Sequence, residues 1–314
     1  MIELKESKYE LENPLLRKAE AIRNQIGNTP VRLLHHWTKK HIHVLAKLEW
    51  KQLSNSVKAR AAYAIICNAI REGKLHAGNR LLDATSGNTG IAYAAICKQL
   101  GINVTLCLPE NASHERQEIL REFGVDIIFT SPMEGTDGAQ KTAWELHRRH
   151  PDEYFYADQY KNQYNWKAHY HTTAPEILRS VPGITHFVAG LGTTGTFVGT
   201  GRRLKESNRS IQLISLQPDS ALHGMEGWKH LDTAAIPGIY DSTLADGTEE
   251  VSTEEAYATI CSVYKQEGFL LSPSSAANLV GAFRVAEKIK NSIVVTVLPD
   301  NADKYKEVIK QLKI

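Results

Sequence analysis

From residue 43 onward, short apolar runs alternate along the chain with longer stretches of helical character. The apolar runs predict strands, and the longer stretches between them predict helices. The predicted strands cover residues 43–49, 80–84, 103–109, 125–130, 154–157, 186–190, 212–217, 269–272 and 293–298. The predicted helices lie near residues 57–72, 90–100, 113–123, 138–149, 165–180, 196–207, 253–267, 275–290 and 302–312. This alternation predicts an α/β fold of mostly parallel sheets flanked by helices, with ligands at the carboxyl ends of the strands.

The first segment of chemical interest is the start of the predicted helix at residues 57–72, which Lys58 opens. A lysine suits the last turn of a helix, so at the first turn its charge opposes the helix dipole. The dipole and a partly dry setting both disfavour the ammonium form, which lowers the lysine pKa from its ordinary value of roughly 10. A neutral amine is a nucleophile toward aldehydes, so Lys58 is a candidate catalytic residue.

A second segment joins the strand at 80–84 to the helix at 90–100. It reads Thr85-Ser86-Gly87-Asn88-Thr89-Gly90. Hydroxyls, an amide and backbone N–H groups meet at this strand-to-helix turn, which suits a carboxylate. Capping the helix needs only one such residue, so a run of four predicts a binding site for an anionic group.

A third segment follows the strand at 186–190. It reads Leu191-Gly192-Thr193-Thr194-Gly195-Thr196. Its glycines allow the backbone to form a nest of N–H groups, its threonines add hydroxyl donors, and the dipole of the next helix favours a dianion. The segment therefore predicts a phosphate site.

The stretch from Gly190 to Gly195 also spells G-x-G-x-x-G, with Asp219 after the next strand, which is typical of a nicotinamide-dinucleotide site. Such a site needs neither Lys58 nor the segment that starts at Thr85. A phosphorylated aldehyde cofactor acting on an amino-acid carboxylate needs all three segments, and the combination favours this interpretation.

With these residues in place, the chain resembles the fold type II, or β-family, pyridoxal-phosphate enzymes, and among them the cysteine synthases (O-acetylserine or O-phosphoserine sulfhydrylases). The resemblance covers nearly the whole chain. Its motifs are Ile26–Pro30, Ser56–Lys58, Thr85–Gly90, Gly192–Thr196, Ser272–Ser275 and Leu298–Asp300, in the family's order. It implies a two-lobed fold like that of the tryptophan synthase β-subunit.

The resemblance also implies a role for each matched residue. Lys58 would form the internal aldimine with pyridoxal 5'-phosphate and move the α-proton. Asn88 would contact the ring hydroxyl and Ser274 the pyridine nitrogen, where a neutral hydroxyl favours β-elimination and replacement over transamination. The cofactor phosphate would be held by Gly192, Thr193, Thr194, Gly195 and Thr196. The substrate carboxylate would be held by Thr85, Ser86, Gly87, Thr89 and Gln159.

The activity implied is β-replacement on an activated L-serine through an α-aminoacrylate, with a sulfur nucleophile such as sulfide or a thiocarboxylate, giving L-cysteine. The activated serine stays open between O-acetylserine and O-phosphoserine. Lys229 stands where relatives that resemble phosphoserine users carry an arginine, and a lysine pairs with phosphate only as a point charge. Lys229 is therefore a candidate substrate-binding residue, and a solvated surface lysine is the alternative.

Other functions fit the same sequence. A cystathionine β-synthase-like or diaminopropionate-forming enzyme would use another nucleophile, and a serine/threonine dehydratase would use water. A regulatory binding protein on the same fold, or a dinucleotide-dependent oxidoreductase, would be a different class of protein. The presence of Lys58 disfavours the regulatory protein.

Composition gives no reason to expect a nucleic-acid or membrane partner. The chain has 314 residues with 37 basic and 35 acidic side chains, so the formal charge of +2 gives no electrostatic reason for nucleic-acid or membrane binding. The amino terminus has no apolar export core, and we expect a cytoplasmic protein. The thirteen histidines show no metal-ligating spacing, so no metal site is expected. The four cysteines lack a C-x-x-C pair and are expected to be free thiols.

Polar and charged residues near position 150 predict the seam between two lobes. We expect a smaller domain at residues 48–150 that closes over the substrate, because reactive intermediates need protection from water. Residues 1–47 and 151–314 are expected to form the larger domain, which holds the cofactor phosphate. The family resemblance implies a homodimer.

Overall fold

The structure is a computed structural model that describes residues 13–39, 41–85 and 87–314. The described chain forms two compact units. The first unit contains the described residues up to Ile26 together with Ala62–Gln159, and the second contains Gly27–Ala61 and Tyr160–Ile314. Each unit is built around one sheet.

The strands, in chain order, are β1 (Val31–Leu33), β2 (Ile42–Leu48), β3 (Arg80–Ala84), β4 (Val104–Pro109), β5 (Asp126–Thr130), β6 (Tyr154–Tyr156), β7 (His186–Gly190), β8 (Gln212–Pro218), β9 (Gly247–Val251) and β10 (Ser292–Leu298). The α-helices are α1 (Pro14–Ala21), α2 (Lys58–Arg71), α3 (Asn88–Leu100), α4 (His114–Glu122), α5 (Gly135–Arg149), α6 (Gln163–His171), α7 (Thr173–Ser180), α8 (Gly195–Ser207), α9 (Thr253–Glu267), α10 (Pro273–Lys288) and α11 (Lys306–Leu312). Short 3₁₀ turns lie at Arg23–Gln25, His35–Trp37, Leu53–Asn55 and Ala302–Lys304.

The first unit has a four-stranded sheet in the order β5-β4-β3-β6, with all neighbours parallel. Every residue of β4 is buried, as expected for an inner strand of a parallel sheet that is covered on both faces. Helix α3 follows β3 and is almost entirely buried, because its small residues allow close packing. The turn from β3 into α3 therefore lies at the carboxyl edge of this sheet.

The second unit has a six-stranded sheet in the order β1-β2-β10-β7-β8-β9. Only β1 runs antiparallel to its neighbour, and the other pairs are parallel. Apolar side chains of α9 and α10 pack on one group of core residues, and Phe187 and Phe197 belong to another. Because β2, β10 and β7 are parallel neighbours, the loops after them share one edge of the sheet.

The predicted α/β class is confirmed, and eight predicted strands are present with ends that differ by at most one residue. The strand predicted at 269–272 is wrong. Leu271 makes only an isolated bridge to Asn301, and the Ser272 hydroxyl accepts a hydrogen bond from the Ser275 N–H to cap α10, with Pro273 at its first position. A serine followed by proline favours a helix start over an extended strand.

Three elements were not predicted, namely α1, β1 and β9. The helix predicted near 165–180 is two helices, since Thr172 leaves helical geometry with φ −124° and ψ −64°. The compact units divide the chain after Ile26, Ala61 and Gln159, whereas the sequence analysis placed boundaries near residues 47 and 150. Closure of a smaller domain over the substrate stays a prediction.

The division at Ile26 has a physical reason. Helix α1 packs within the first unit, where the Lys18 Nζ donates to the Leu100 carbonyl at 3.2 Å and the Tyr63 hydroxyl donates to the Ala19 carbonyl at 3.2 Å. Strand β2, in contrast, pairs with β10 of the second unit along its whole length. The sequence gives no local sign of either long-range contact.

Candidate active site

Lys58 lies where two parallel strands of the second unit end. The chain leaves β2, passes through the turn Leu53–Asn55 with Ser54 at φ 63°, and enters α2 at Lys58. The Val57 N–H donates to the Pro299 carbonyl at 2.8 Å, which ties the start of α2 to the residue that follows β10. Lys58 therefore stands at the ligand-binding edge of the sheet.

The environment of Lys58 acts on its amine as the sequence predicted. The residue is half-buried. Desolvation lowers the pKa of the Lys58 amine, while the carboxylates of Asp300 and Glu49 oppose part of that shift. The net effect is a lowered pKa. The neutral amine is therefore more populated near neutral pH in Lys58 than in an ordinary lysine.

Arg60, two residues beyond Lys58, anchors the same helical turn. Its Nε and Nη2 donate to the Glu49 carboxylate at 2.7 and 2.9 Å, and its Nη1 and Nη2 donate to the Glu176 carboxylate at 2.8 and 2.7 Å. The Lys47 Nζ lies 2.7 Å from the second Glu176 oxygen. Two cations and two anions thus form a buried, charge-balanced cluster, the arrangement that makes buried charge tolerable.

This cluster was not predicted from the sequence. Its one local signal in the sequence is an arginine inside an otherwise apolar helix. In the structure, Arg60 is 2% exposed. The Glu176 carboxylate takes up the positive charge, and Arg60 and Lys47 lower the pKa of Glu176 to about 2 against the cost of burial.

The predicted phosphate segment lies between β7 and α8. Thr194 is the residue before α8 and has φ 68°. A Cβ on Gly192 would stand 2.0 Å from the Gly227 carbonyl oxygen, and a Cβ on Gly195 would stand 2.0 Å from the Asn165 Oδ1. Only glycine leaves room for these neighbours, so the segment can pack closely here and lead into the start of α8, where free backbone N–H groups can bind an anion.

A buried hydroxyl in this turn fits the binding of an anion. Thr194 is 2% exposed, and its Oγ1 has no hydrogen-bond partner among the described residues. A buried polar atom without a partner costs about 1–3 kcal/mol, so such an atom at a helix N-terminus fits a group that binds there. An oxygen-rich anion such as a phosphate would satisfy this hydroxyl and the N–H groups together.

Helix α6 supports the phosphate segment from behind. The Asn165 Nδ2 donates to the Thr193 Oγ1 at 3.1 Å, and the His169 Nε2 lies 3.3 Å from the Thr196 Oγ1. Neither Asn165 nor His169 was predicted. His169 is one of the thirteen histidines in which the sequence shows no metal-ligating spacing.

Ser274 lies in the first turn of α10, next to the end of β10. It is 5% exposed, and its hydroxyl lies 3.3 Å from the hydroxyl of Ser272. The Ser272 and Ser275 hydroxyls both donate to the Asp300 carbonyl, at 3.3 and 2.5 Å, and the Tyr305 hydroxyl donates to the Asp300 carboxylate at 2.9 Å. These bonds fix the serine segment to the residue that also influences Lys58.

Lys229 lies beside the phosphate segment. Its N–H donates to the Leu191 carbonyl at 2.8 Å, and its Nζ is 5.1 Å from the centre of the Tyr160 ring. At 8% exposure, Lys229 is not the solvated surface side chain that the sequence left possible. The structure thus places Lys58, Ser274, Lys229 and the phosphate segment in one unit.

The predicted carboxylate segment lies in the first unit, in the turn from β3 into α3. The Thr89 hydroxyl donates to the Gln159 Oε1 at 2.7 Å, and the Gln159 Nε2 donates to the Ala84 carbonyl at 2.8 Å. The Gly87 N–H donates to the Thr85 hydroxyl at 3.0 Å. The structure therefore brings together Thr89 and Gln159, which are 70 positions apart in the sequence.

Two further predicted residues complete the account of this turn. Asn88 is the first residue of α3 and is half-buried, and Ser86 lies outside the described residues.

Under the turn, Asp83 is fully buried and accepts a hydrogen bond from the Ala84 N–H at 2.9 Å. Burial raises the pKa of Asp83 to about 8, so its carboxyl keeps a proton at neutral pH.

Three further features of the described residues concern metal binding, membrane spans and disulfides. Among the described residues no group of three or more histidine, cysteine or acidic side chains is arranged to hold a metal ion. Within the same residues no helix is long and apolar enough to cross a membrane. All four cysteines are free thiols, as the sequence predicted.

Comparisons with known proteins agree with this geometry. A family model described as pyridoxal-phosphate dependent enzyme matches residues 22–300. A cysteine synthase of Aquifex aeolicus is 41% identical over 305 residues, which cover 94% of this chain and 93% of that protein. The crystal structure of a cysteine synthase from Entamoeba histolytica is similar with a TM-score of 0.84 and 30% identity, and the match covers 93% of this chain and 94% of that one.

A third relative carries a related activity. The crystal structure of an O-acetylserine dependent cystathionine β-synthase from Helicobacter pylori has a TM-score of 0.82 and 35% identity to this chain, covering 91% of it and 96% of the other protein. The donor set described above fits pyridoxal phosphate, the cofactor of the matched family. An amine with a lowered pKa can react with the cofactor aldehyde. The buried Thr194 hydroxyl, which has no partner among the described residues, can donate to the cofactor phosphate at the start of α8.

Proposed function

The chain belongs to the family of pyridoxal-phosphate-dependent enzymes, and from that premise we propose that Lys58 is the residue that binds the cofactor aldehyde and moves the substrate α-proton. The enzyme forms L-cysteine by β-replacement on an activated serine. The observation that carries the assignment is the lowered pKa of the Lys58 amine, at the strand edge that also holds the phosphate segment. A lowered pKa raises the neutral fraction of an amine, and a neutral amine can both attack an aldehyde and accept a proton.

The bound cofactor supplies an electron sink that makes the α-proton of the amino acid acidic and its β-substituent displaceable. We assign the remaining cofactor contacts to side chains of this chain. Asn88 would contact the ring hydroxyl, and Ser274 would offer a neutral hydroxyl to the ring nitrogen. The phosphate would be held by Gly192, Thr193, Thr194, Gly195 and Thr196.

The substrate carboxylate is assigned to the turn between β3 and α3. Hydroxyls, an amide and backbone N–H groups are the donors that a carboxylate accepts, and the turn carries all three. The residues assigned to it are Thr85, Ser86, Gly87, Thr89 and Gln159. The bond from Thr89 to Gln159 would hold both side chains ready before substrate arrives.

The activated serine and the nucleophile are separate proposals. Lys229 supports O-phosphoserine as a donor, because a buried cation beside the phosphate segment could pair with a phosphate leaving group. Sulfide or a thiocarboxylate would be the nucleophile. The structural similarity to the Helicobacter pylori enzyme favours a second candidate function, in which a larger thiol replaces sulfide and cystathionine is formed.

The test is product formation by the cofactor-loaded protein. O-acetyl-L-serine or O-phospho-L-serine is supplied together with sulfide, a thiocarboxylate, L-homocysteine or ammonia, and amino-acid products are identified by mass spectrometry. We expect L-cysteine with the sulfur donors, and loss of product in Lys58→Ala. Lys51→Ala, an exposed lysine on the same loop, is the control and should keep full activity. Pyruvate as the main product would support a dehydratase instead.

We also propose a cytoplasmic homodimer. Four unpaired thiols suit a reducing compartment, and burial raises the pKa of Cys67 to about 11, which keeps that thiol unreactive. The dimer is implied by the family resemblance. Light scattering of the purified protein would give twice the chain mass of 35.0 kDa if this is right, and the chain mass if it is wrong.

A further inference from the structure

Two side chains of α6 reach the phosphate segment from the protein interior. Asn165 and His169 lie one helical turn apart on the same face of α6, and each is 2% exposed. Each contacts one threonine hydroxyl of the segment, at 3.1 Å for Thr193 and 3.3 Å for Thr196. The two threonine hydroxyls that are proposed to contact the phosphate are therefore each contacted by a side chain of α6.

The second ring nitrogen of His169 fixes its tautomer. The His169 Nδ1 lies 2.9 Å from the hydroxyl of Thr173, which is fully buried. If Nδ1 accepts the Thr173 proton, then Nε2 carries the ring proton and donates to the Thr196 oxygen. The opposite tautomer would leave the buried Thr173 proton without an acceptor among the described residues, which is unfavourable for a buried polar group. The first arrangement gives both ring nitrogens and the Thr173 hydroxyl proton a partner.

The ring stays neutral in this arrangement. Burial lowers the pKa of His169 well below its ordinary value, and the nearby charges of Arg60 and Lys58 lower it further. A neutral histidine has one donor and one acceptor, which matches the two hydroxyls that it contacts.

We propose that Asn165 and His169 are positioning residues that donate hydrogen bonds to the oxygens of Thr193 and Thr196, so that both hydroxyl protons are free to face the bound phosphate. A hydroxyl has one proton, and a partner that accepted it would take it away from the anion. Donors behind the hydroxyls also polarise their O–H bonds toward the negative charge. The inference rests on the proposed role of the phosphate segment.

The tautomer can be observed without activity. We expect ¹⁵N NMR of the cofactor-free protein, labelled at histidine, to show His169 with a proton on Nε2 and none on Nδ1 between pH 6 and 8. Replacement Thr173→Val removes the hydroxyl that donates to Nδ1. The tautomer with its proton on Nδ1 should then become populated. A ring of His169 protonated on Nδ1, or on both nitrogens, in the unmodified protein would overturn the inference.

Binding to two cofactor forms tests the consequence. In His169→Asn the amide can replace Nδ1 but not Nε2, and in His169→Gln the amide can replace Nε2. We expect His169→Asn to weaken pyridoxal 5'-phosphate binding about tenfold, the equivalent of one lost hydrogen bond. Pyridoxal, which lacks the phosphate, should bind both variants like the unmodified protein, and His169→Gln should bind the phosphorylated form within about threefold of it.

Each outcome has a separate meaning. Equal losses in the two variants, or equal losses for pyridoxal and its phosphate, would assign His169 a packing role and overturn the inference. Failure of the unmodified protein to bind pyridoxal 5'-phosphate at all would overturn the proposed function instead.

Discussion

Arg60 and Glu176 share two parallel hydrogen bonds, of 2.8 Å from Nη1 to Oε1 and 2.7 Å from Nη2 to Oε2, inside the second compact unit. This planar, two-pronged pairing is the geometry that distinguishes arginine from lysine. It joins the first turn of α2 to α7, so the position of the Lys58 backbone depends on a side chain far along the chain.

Glu176→Gln should destabilise the protein by about 3 kcal/mol, because it leaves Arg60 and Lys47 with a single buried carboxylate between them. Chemical denaturation at pH 7 measures the effect. Glu206→Gln breaks the exposed contact with Arg203 and serves as the matched control, with an expected change below about 1 kcal/mol. Similar losses in both variants would contradict the importance of burial.

The same carboxylate predicts acid sensitivity. Since the pKa of Glu176 is lowered from 4.5 to about 2, its stabilisation is fully present above pH 4.5 and is lost as the pH falls toward 2. The difference in stability between the native protein and Glu176→Gln should therefore shrink over that range. A difference that stays constant down to pH 2 would show that the charge of Glu176 is not its source.

Asp83 should make the stability of the fold depend on pH in the opposite direction. Its pKa is raised from 3.8 to about 8, so between these values the unfolded chain releases a proton that the folded chain keeps. This contribution makes stability fall as the pH rises, by up to about 1.4 kcal/mol per pH unit. Asp83→Asn mimics the protonated carboxyl and should flatten the profile from pH 4 to 8 relative to the exposed control Asp152→Asn. An unchanged slope would mean that Asp83 is ionised in the fold.

Lys229 should favour O-phosphoserine over O-acetylserine as the activated serine. Replacement Lys229→Met keeps the packing of the side chain on Tyr160 and removes the charge. We expect kcat/KM for O-phosphoserine to fall about tenfold or more, and that for O-acetylserine to change less than about threefold, because only the first donor carries a dianion. Steady-state kinetics with both donors gives the ratio, and equal losses would remove Lys229 from donor recognition.

Sequence reasoning found those parts of the site that are encoded locally. Lys58 at a helix start and the Gly192–Thr196 turn were both predicted because helix-terminal lysines and glycine-threonine turns have a local physical meaning. The carboxylate site in the turn before α3 was predicted in the same way, from the hydroxyl-rich run that ends at Thr89, and its binding role stays a prediction. These residues lie at strand ends, which an alternating α/β pattern predicts without knowledge of the packing.

The supporting shell could not be predicted in this way. Arg60 and Glu176 are 116 residues apart, and their pairing depends on how α2 and α7 pack in three dimensions. Likewise, nothing in the local sequence directs His169 to Thr196. Strands β1 and β9 were missed for a related reason, since each is short and only partly buried, so that its apolar pattern is weak.

The most direct test of the central claim is reduction of the cofactor-loaded protein with borohydride, followed by proteolysis and mass spectrometry. The account predicts that the reduced cofactor is attached to the peptide that contains Lys58, that Lys58→Ala gives no labelled peptide, and that Lys51→Ala is labelled like the unmodified protein. A label on another lysine, or no label at all on a protein that makes L-cysteine, would contradict it.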